Sequence, residues 1–353
     1  MDKKNYNAVD LFKWICAWLV VYIHLQPVLE DLPVADKLIC QGLCRIAVPF
    51  FFAASAFFLF RKMGTEKSNG PANRRILWSY CSHLLKLYTL CLLINNLYYA
   101  FYWHQNGLPQ KLLIDFLYGY FLKGDVMHLW YLIASVYAAP VVYLLWRRGR
   151  KALIAGCLVL EVLCLLDWPY NFLPIYSSSV YRHFATEANL VVNAFYNGVP
   201  MMCLGALCLT DHKKRSCRQW GLTLLCVLPF FAAEIGGLYL YYGQRFAASG
   251  MITRIPVIYC LLNWLLSTEL KLPSSWLGKA FRLNSTWIYC SHYLIYNLYH
   301  WFFAYQGIPR YLVVGCLSVI SGIPYVAFKL LRDRRKDQTT TTPTSIVEER
   351  VYE

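Results

Sequence analysis

The chain has 353 residues, 58% of them apolar and only 15% charged, with a formal net charge of +15. That is too apolar and too poor in charge for an ordinary soluble domain. The basic excess lies between long apolar blocks rather than along one face, so it argues for membrane topology and against a nucleic-acid partner.

The apolar blocks are long enough to cross a bilayer, which takes about 20 residues each. They predict ten spans, near 9–28, 38–60, 78–103, 128–147, 151–168, 190–210, 219–242, 250–268, 281–303 and 310–330. The expected fold class is all-α and polytopic. Lys111–Leu122 is apolar but too short to span, and reads as interfacial or re-entrant. Basic residues cluster in alternate loops: Arg61, Lys62, Lys67, Arg74 and Arg75, then Arg147, Arg148, Arg150 and Lys151, then Lys213, Lys214, Arg215 and Arg218, and finally Lys329 to Lys336. The intervening loops carry few. The positive-inside rule then sets both termini in the cytoplasm, in parity with ten spans, and leaves the lipid bilayer as the partner of the basic loops. A membrane domain is expected over 1–332 and a polar, disordered cytoplasmic tail over 333–353. The first span is too long for a cleavable leader and is expected to stay as an anchor.

The first span opens with Asp10 and Lys13 and carries His24 near its end, in DLFKWICAWLVVYIH. Eleven steps at ~100° return to nearly the same face, so Lys13 and His24 share a stripe and stand roughly 16 Å apart along the axis. Ionisable groups in a membrane usually face the protein interior and act there. Asp10 and Lys13, spaced i,i+3, either pair with each other or meet a ligand. In the second span Arg45, in CRIAVPFFFAASAFFLF, lies at a depth similar to His24. It needs an anion or a functional reason, and the nearest acids are Glu30, Asp31 and Asp36.

Arg74, Arg75 and Lys86 lie near the entry to the third span; topology alone explains the two arginines, while Lys86, deeper in the apolar segment, suggests with Lys13 a cationic pocket for a phosphorylated donor. His128 begins HLWYLIASVYA, where Trp130 and Tyr131 fit an interface belt or packing. Glu161 and Glu234 are mid-span acids that pair with an interior cation or serve a proton path. The long connections 104–127 and 167–188 are candidates for function on the outer side. Asn189, Asn193 and Asn197 repeat every four residues as one polar stripe, either helix packing or the wall of a cavity for a polyhydroxylated acceptor. His292, in IYCSHYLIY, is expected mid-span at a depth different from that of His128, and neither is read as a catalyst. The 14 cysteines include no CxxC pair, so neither a metal site nor a disulfide framework is expected.

These segments together resemble integral-membrane acyltransferase family 3. The resemblance rests on VDLFKWICAWLVVYIH with its basic residue and histidine, on RIAVPFFFAASAFFLF, on the basic segment before KLY, on HLWYL and on IYCSHYLI, and covers about 1–330. Two features depart from the family: Ser55-Ala56 stands where members often have Ser-Gly, and Lys13 where they often have arginine. The resemblance implies a bacterial plasma-membrane enzyme with no resident cofactor. Its donor would be cytoplasmic acyl-coenzyme A, acetyl above all, and its acceptor a hydroxyl of a surface glycan or glycolipid. His24 and Arg45 would be the catalytic pair. Lys13, Arg74 and Arg75 would hold the donor. From their positions in the sequence, and not from the resemblance, Asp10 and Lys86 are further donor-side candidates and His128, Asn189, Asn193 and Asn197 acceptor-side candidates. Imidazole titrates near neutral pH and suits a general base, while a guanidinium suits a developing oxyanion. A covalent acyl-histidine stays open. So do a transporter or flippase for a polysaccharide precursor and a non-catalytic assembly partner.

Overall fold

The computed structural model describes residues 5–64, 70–106, 117–123, 128–167, 170, 178–246, 250–274, 276–303 and 305–340. Helices dominate, and no strand occurs among the described residues. In chain order they are α1 (Asn7–Leu25), α2 (Pro33–Gln41), α3 (Ala47–Met63), α4 (Gly70–Asn106), α5 (Trp130–Arg148), α6 (Arg150–Asp167), α7 (Ser179–Glu187), α8 (Asn189–Asn193), α9 (Val199–Asp211), α10 (Cys217–Tyr242), α11 (Arg254–Ser267), α12 (Leu277–Phe302), α13 (Gly307–Ser321) and α14 (Ile323–Thr340).

Two helices form the middle of the bundle. A helix apolar on every side belongs in an interior, and α3, with Phe50, Phe52, Ala53, Phe57 and Phe60 all at most 1% exposed, is such a helix. The other is α9, buried from Val199 to Cys208. They pack on each other. A Cβ on Gly205 would stand 2.0 Å from the Ala53 carbonyl oxygen, so only glycine lets the backbones come this close. α1 lies against α3 and α12, and α6 and α11 lie against α9. α10 is the opposite case, presenting Leu222, Leu225, Phe230 and Leu240 outward. Such a surface suits lipid, where apolar exposure carries no penalty.

Six helical segments are long and apolar enough to cross a membrane: Asn7–Leu25, Pro33–Met63, Gly70–Asn95, Asn189–Asp211, Cys217–Tyr242 and Gly307–Arg335. The sequence pattern gave ten, and the remaining four exist as helices that fall short of that standard. α11 has 14 residues, about 21 Å of rise against a core of about 30 Å. α6 holds Arg150, Lys151, Glu161 and Asp167 within 18 residues. Tyrosines, tryptophans and Pro140 lower the hydropathy of α5, and α12 carries a polar stripe of hydroxyls, amides and histidines.

Other boundaries also differ. A 3-10 turn, Leu43–Ile46, interrupts the second span, and Gly322 breaks the last one. A Cβ there would meet Asn284 Nδ2 at 2.6 Å. α14 runs to Thr340, tied to α12 by a Lys279–Asp333 ion pair, so the start of the expected disordered tail is helical; 341–353 lies outside the described residues. Half of Lys111–Leu122 and much of the 104–127 and 167–188 connections also lie outside them. Within these segments the structure describes a π-helical turn, Gly119–Lys123, and the helix α7.

Candidate functional site

α1 ends at Leu25, one residue beyond His24. Gln26 takes a left-handed conformation, φ 43°, and donates its N–H to Tyr22 O at 2.9 Å. Such a conformation is uncommon outside glycine, and the Gln26 side chain is held against Cys40 Sγ at 3.4 Å. His24 therefore projects from the last turn of α1 into a cavity of about 400 Å³, walled also by Arg45, His128, Trp130, Arg254 and Tyr289.

Three imidazoles meet beside this cavity, two of them, His24 and His128, lining it. The His24 ring centroid lies 5.3 Å from that of His292 and 6.3 Å from that of His128, and the last two lie 4.9 Å apart. His128 and His292 are buried, and Tyr293 stacks on His128 at 5.1 Å. The apparent difference in depth between His128 and His292 is thus corrected: the turn before α5 and the middle of α12 meet. No metal-binding group of three or more His, Cys, Asp or Glu side chains occurs among the described residues.

Arg45 stands in the 3-10 turn before α3, its Nε donating to Gln41 Oε1 at 3.0 Å. Among the described residues it makes no ion pair. Asp36, one acid expected near it, instead accepts from the Tyr22 hydroxyl at 3.0 Å and the Val28 N–H at 3.3 Å.

The asparagine stripe forms a ladder as well as a wall. Asn193 Nδ2 donates to Asn189 Oδ1 at 2.6 Å, and Asn197 Nδ2 donates to Asn193 Oδ1 at 3.0 Å. All three line the His24 cavity. A π-helical turn, Ala194–Gly198, separates α8 from α9 at this point. Such bulges recur at functional sites. The ladder ends on Arg254, whose Nη1 donates to Asn197 Oδ1 at 2.7 Å. The same guanidinium grips Glu161 with Nη2 at 2.8 and 2.7 Å and Nε at 3.1 Å. The pair is 4% and 3% exposed. Glu161 is thus committed to an ion pair rather than a proton path. Glu234 is committed too, accepting from the Tyr170 hydroxyl and from the N–H groups of Ile252 and Thr253 just before α11. It neutralises a helix N-terminus.

The other end of α1 faces a second cavity of about 140 Å³, lined by Lys13, Ser55, His83, Tyr131, Arg282 and Tyr289 among others. Asp10 pairs with Arg282 Nη1 at 3.2 Å, while Lys13 Nζ lies 4.8 Å from the centre of the Phe58 ring. The i,i+3 Asp10–Lys13 pair is therefore replaced by a bridge to α12. Arg74, Arg75 and Lys86 are exposed on α4 and line neither cavity. His83 and Arg282 line the Lys13 cavity instead, and neither is legible in the sequence, since each looks like one more basic residue near a helix end.

Phe51, Tyr131 and Tyr289 form an aromatic partition along the second cavity, with ring centroids 5.7–6.2 Å apart. Tyr289 borders both cavities, and its hydroxyl donates to the His128 carbonyl. Tyr131 and Ser55 share a hydroxyl hydrogen bond of 2.8 Å. Ser55 of the Ser-Ala pair thus helps hold this partition. Chemically, the arrangement offers an imidazole and an arginine in one cavity, and cations and an aromatic partition along a second.

Comparison with known proteins gives this site its family. An acyltransferase domain matches residues 6–327, and the chain belongs to integral-membrane acyltransferase family 3. The chain is also similar, at 27% identity over 273 residues, to an amino-acid racemase of Enterococcus faecalis; the match covers 74% of this chain and 38% of that protein. It is 33% identical over 132 residues to a serine/alanine racemase of Enterococcus gallinarum, covering 37% of this chain and 18% of the other. The chain thus spans well under half the length of these relatives. No solved structure matches it.

Proposed function

We propose that this chain is a membrane O-acyltransferase that moves an acyl group, acetyl above all, from cytoplasmic acyl-coenzyme A to a hydroxyl of an extracytoplasmic glycan or glycolipid. The observation that carries the reading is the pair of cavities on one helix, Lys13 bordering one and His24 the other, with Tyr289 bordering both. A donor held by Lys13, His83 and Arg282 sends its thin pantetheine arm toward the partition. Ammonium and guanidinium groups hold its phosphates by charge and hydrogen bonds. The acceptor occupies the His24 cavity against the asparagine ladder.

In the reaction the acceptor oxygen attacks the thioester carbonyl while His24 takes the hydroxyl proton. Arg45 stabilises the oxyanion. The C–S bond then breaks, and the thiolate leaves as a thiol with the proton returned by His24. The reading sets Lys13 toward the cytoplasm and His24 toward the outside, with ten helices crossing a bacterial plasma membrane and both termini inside. Family membership over 6–327 supports acyl transfer. The racemase names belong to much longer proteins and are not carried over.

The test is transfer of radiolabelled acetyl from acetyl-coenzyme A in membranes holding the parent or His24→Gln. Glutamine keeps hydrogen bonding but takes no proton at neutral pH. The parent should label a glycan or glycolipid, and the variant should lose ~10²–10⁴-fold in rate with donor binding intact. Near-parental turnover in the variant would falsify the base assignment, and no transfer by the parent from any acyl-coenzyme A would remove the reading itself.

A further inference from the structure

Two imidazoles beside His24 have their lone pairs fixed by the backbone. His292 Nδ1 lies 2.9 Å from Ile288 O and 3.0 Å from Tyr289 O. A carbonyl oxygen only accepts, so Nδ1 carries the proton and Nε2 is left bare. His292 is fully buried, and Nε2 meets no donor among the described residues. His128 has the complementary arrangement: Nε2 lies 3.4 Å from Cys290 O, and Nδ1 is the buried atom without a donor. These rings cannot satisfy each other, because each presents a lone pair. Buried acceptors without partners are rare in native structures and call for an explanation. Among the described residues the third imidazole of the cluster, His24, is the one not anchored to a backbone carbonyl, and its centroid lies 5.3 Å from that of His292.

We propose that His292 is the positioning residue for His24, a role that rests on the acyl-transfer reading above. His24 donates one ring N–H to His292 Nε2. Its other nitrogen is thereby the deprotonated one and is turned into the cavity toward the acceptor hydroxyl. A carboxylate commonly orients a catalytic histidine in this way; here a neutral imidazole does so, itself locked by two main-chain carbonyls. The balance is simple. The hydroxyl proton moves to the free His24 nitrogen, the new C–O bond forms, the C–S bond breaks, and the proton leaves on the thiol. His292 gains and loses nothing. It holds the ring through the cycle and keeps the lone pair aimed. The orphaned Nε2 is thereby satisfied in the working enzyme. The sequence conceals this, since 268 positions separate the two histidines (292 − 24).

The experiment has two arms on the full chain in lipid nanodiscs. In the first, solid-state ¹⁵N NMR of histidine-labelled parent should show magnetisation passing from a His24 N–H to a bare His292 Nε2, with His24→Gln and His292→Leu removing the signal to assign it. Its absence from folded parent overturns the proposal, as does zinc bound in equimolar amount to the purified parent, since the bare nitrogens would then be metal ligands. In the second arm, His292→Leu should lower kcat by about 10²-fold with both KM values nearly unchanged. His292→Gln, whose amide oxygen can accept the same N–H, should recover most of that loss. Equal loss in the two variants, or a loss confined to KM, means that the ring only packs. A parent that transfers no acyl group defeats the functional reading, and the NMR arm still decides whether the two histidines pair.

Discussion

Glu161→Leu tests the most buried ion pair of the bundle. The carboxylate takes three hydrogen bonds from Arg254, at 2.7, 2.8 and 3.1 Å, in a place where neither partner is more than 4% exposed. Removing it leaves a guanidinium whose remaining contacts include Asn197 Oδ1 at 2.7 Å and Tyr196 O at 3.3 Å, which are dipoles and not a counter-charge. Breaking a buried pair from one side costs ~3–5 kcal/mol, most of it the stranded charge. At ~2 °C per kcal/mol for a large chain, the melting temperature of detergent-purified protein should fall by roughly 6–10 °C. Replacing both partners removes the charge together with its counter-charge, so Glu161→Leu/Arg254→Met should melt well above the single variant. Nanoscale differential scanning fluorimetry on parent, both singles and the double gives the coupling directly. Should Glu161→Leu melt like the parent, or the double variant melt below both singles, the pair is not the structural tie described here.

Gly205→Ala puts a Cβ 2.0 Å from the Ala53 carbonyl, a backbone atom that cannot swing aside, and should cost ~1–3 kcal/mol in the same melting assay. Arg282→Ala should weaken acyl-coenzyme A binding by isothermal titration while Arg74→Ala leaves it unchanged, because Arg282 lines the Lys13 cavity and Arg74 is exposed on α4; equal effects would return the donor site to α4. Asn193→Leu breaks the ladder on both sides and should raise the acceptor KM with the donor KM constant, read from initial rates. In intact cells, and in a background cleared of native cysteines, a cysteine in the 61–75 loop should escape an impermeant thiol reagent and one at Ser178 should react; the reverse pattern would invert the proposed sidedness.

The sequence by itself determined the class of fold and the first helix. Apolar runs of bilayer length force helices, because backbone polar groups in lipid must be satisfied within the segment. The period of the α-helix put Lys13 and His24 on one stripe, and the structure sets them at two cavities that share Tyr289. The asparagine stripe was legible for the same reason, since four-residue spacing is a property of one helix. Partners from distant segments were not legible. Asp10 chose Arg282 over the nearer Lys13, Glu161 chose Arg254, and His128 found His292, because packing α1, α5, α6 and α11 around α3 and α9, with α12 against α1, decides which buried charges and rings meet. A basic residue at a helix end carries the same local signal whether it sets topology, as Arg74 does in the proposed orientation, or lines a cavity, as Arg282 does. Only the tertiary structure separates them, since burial beside a counter-charge or a cavity is a relation between helices and leaves no periodic trace in any one of them.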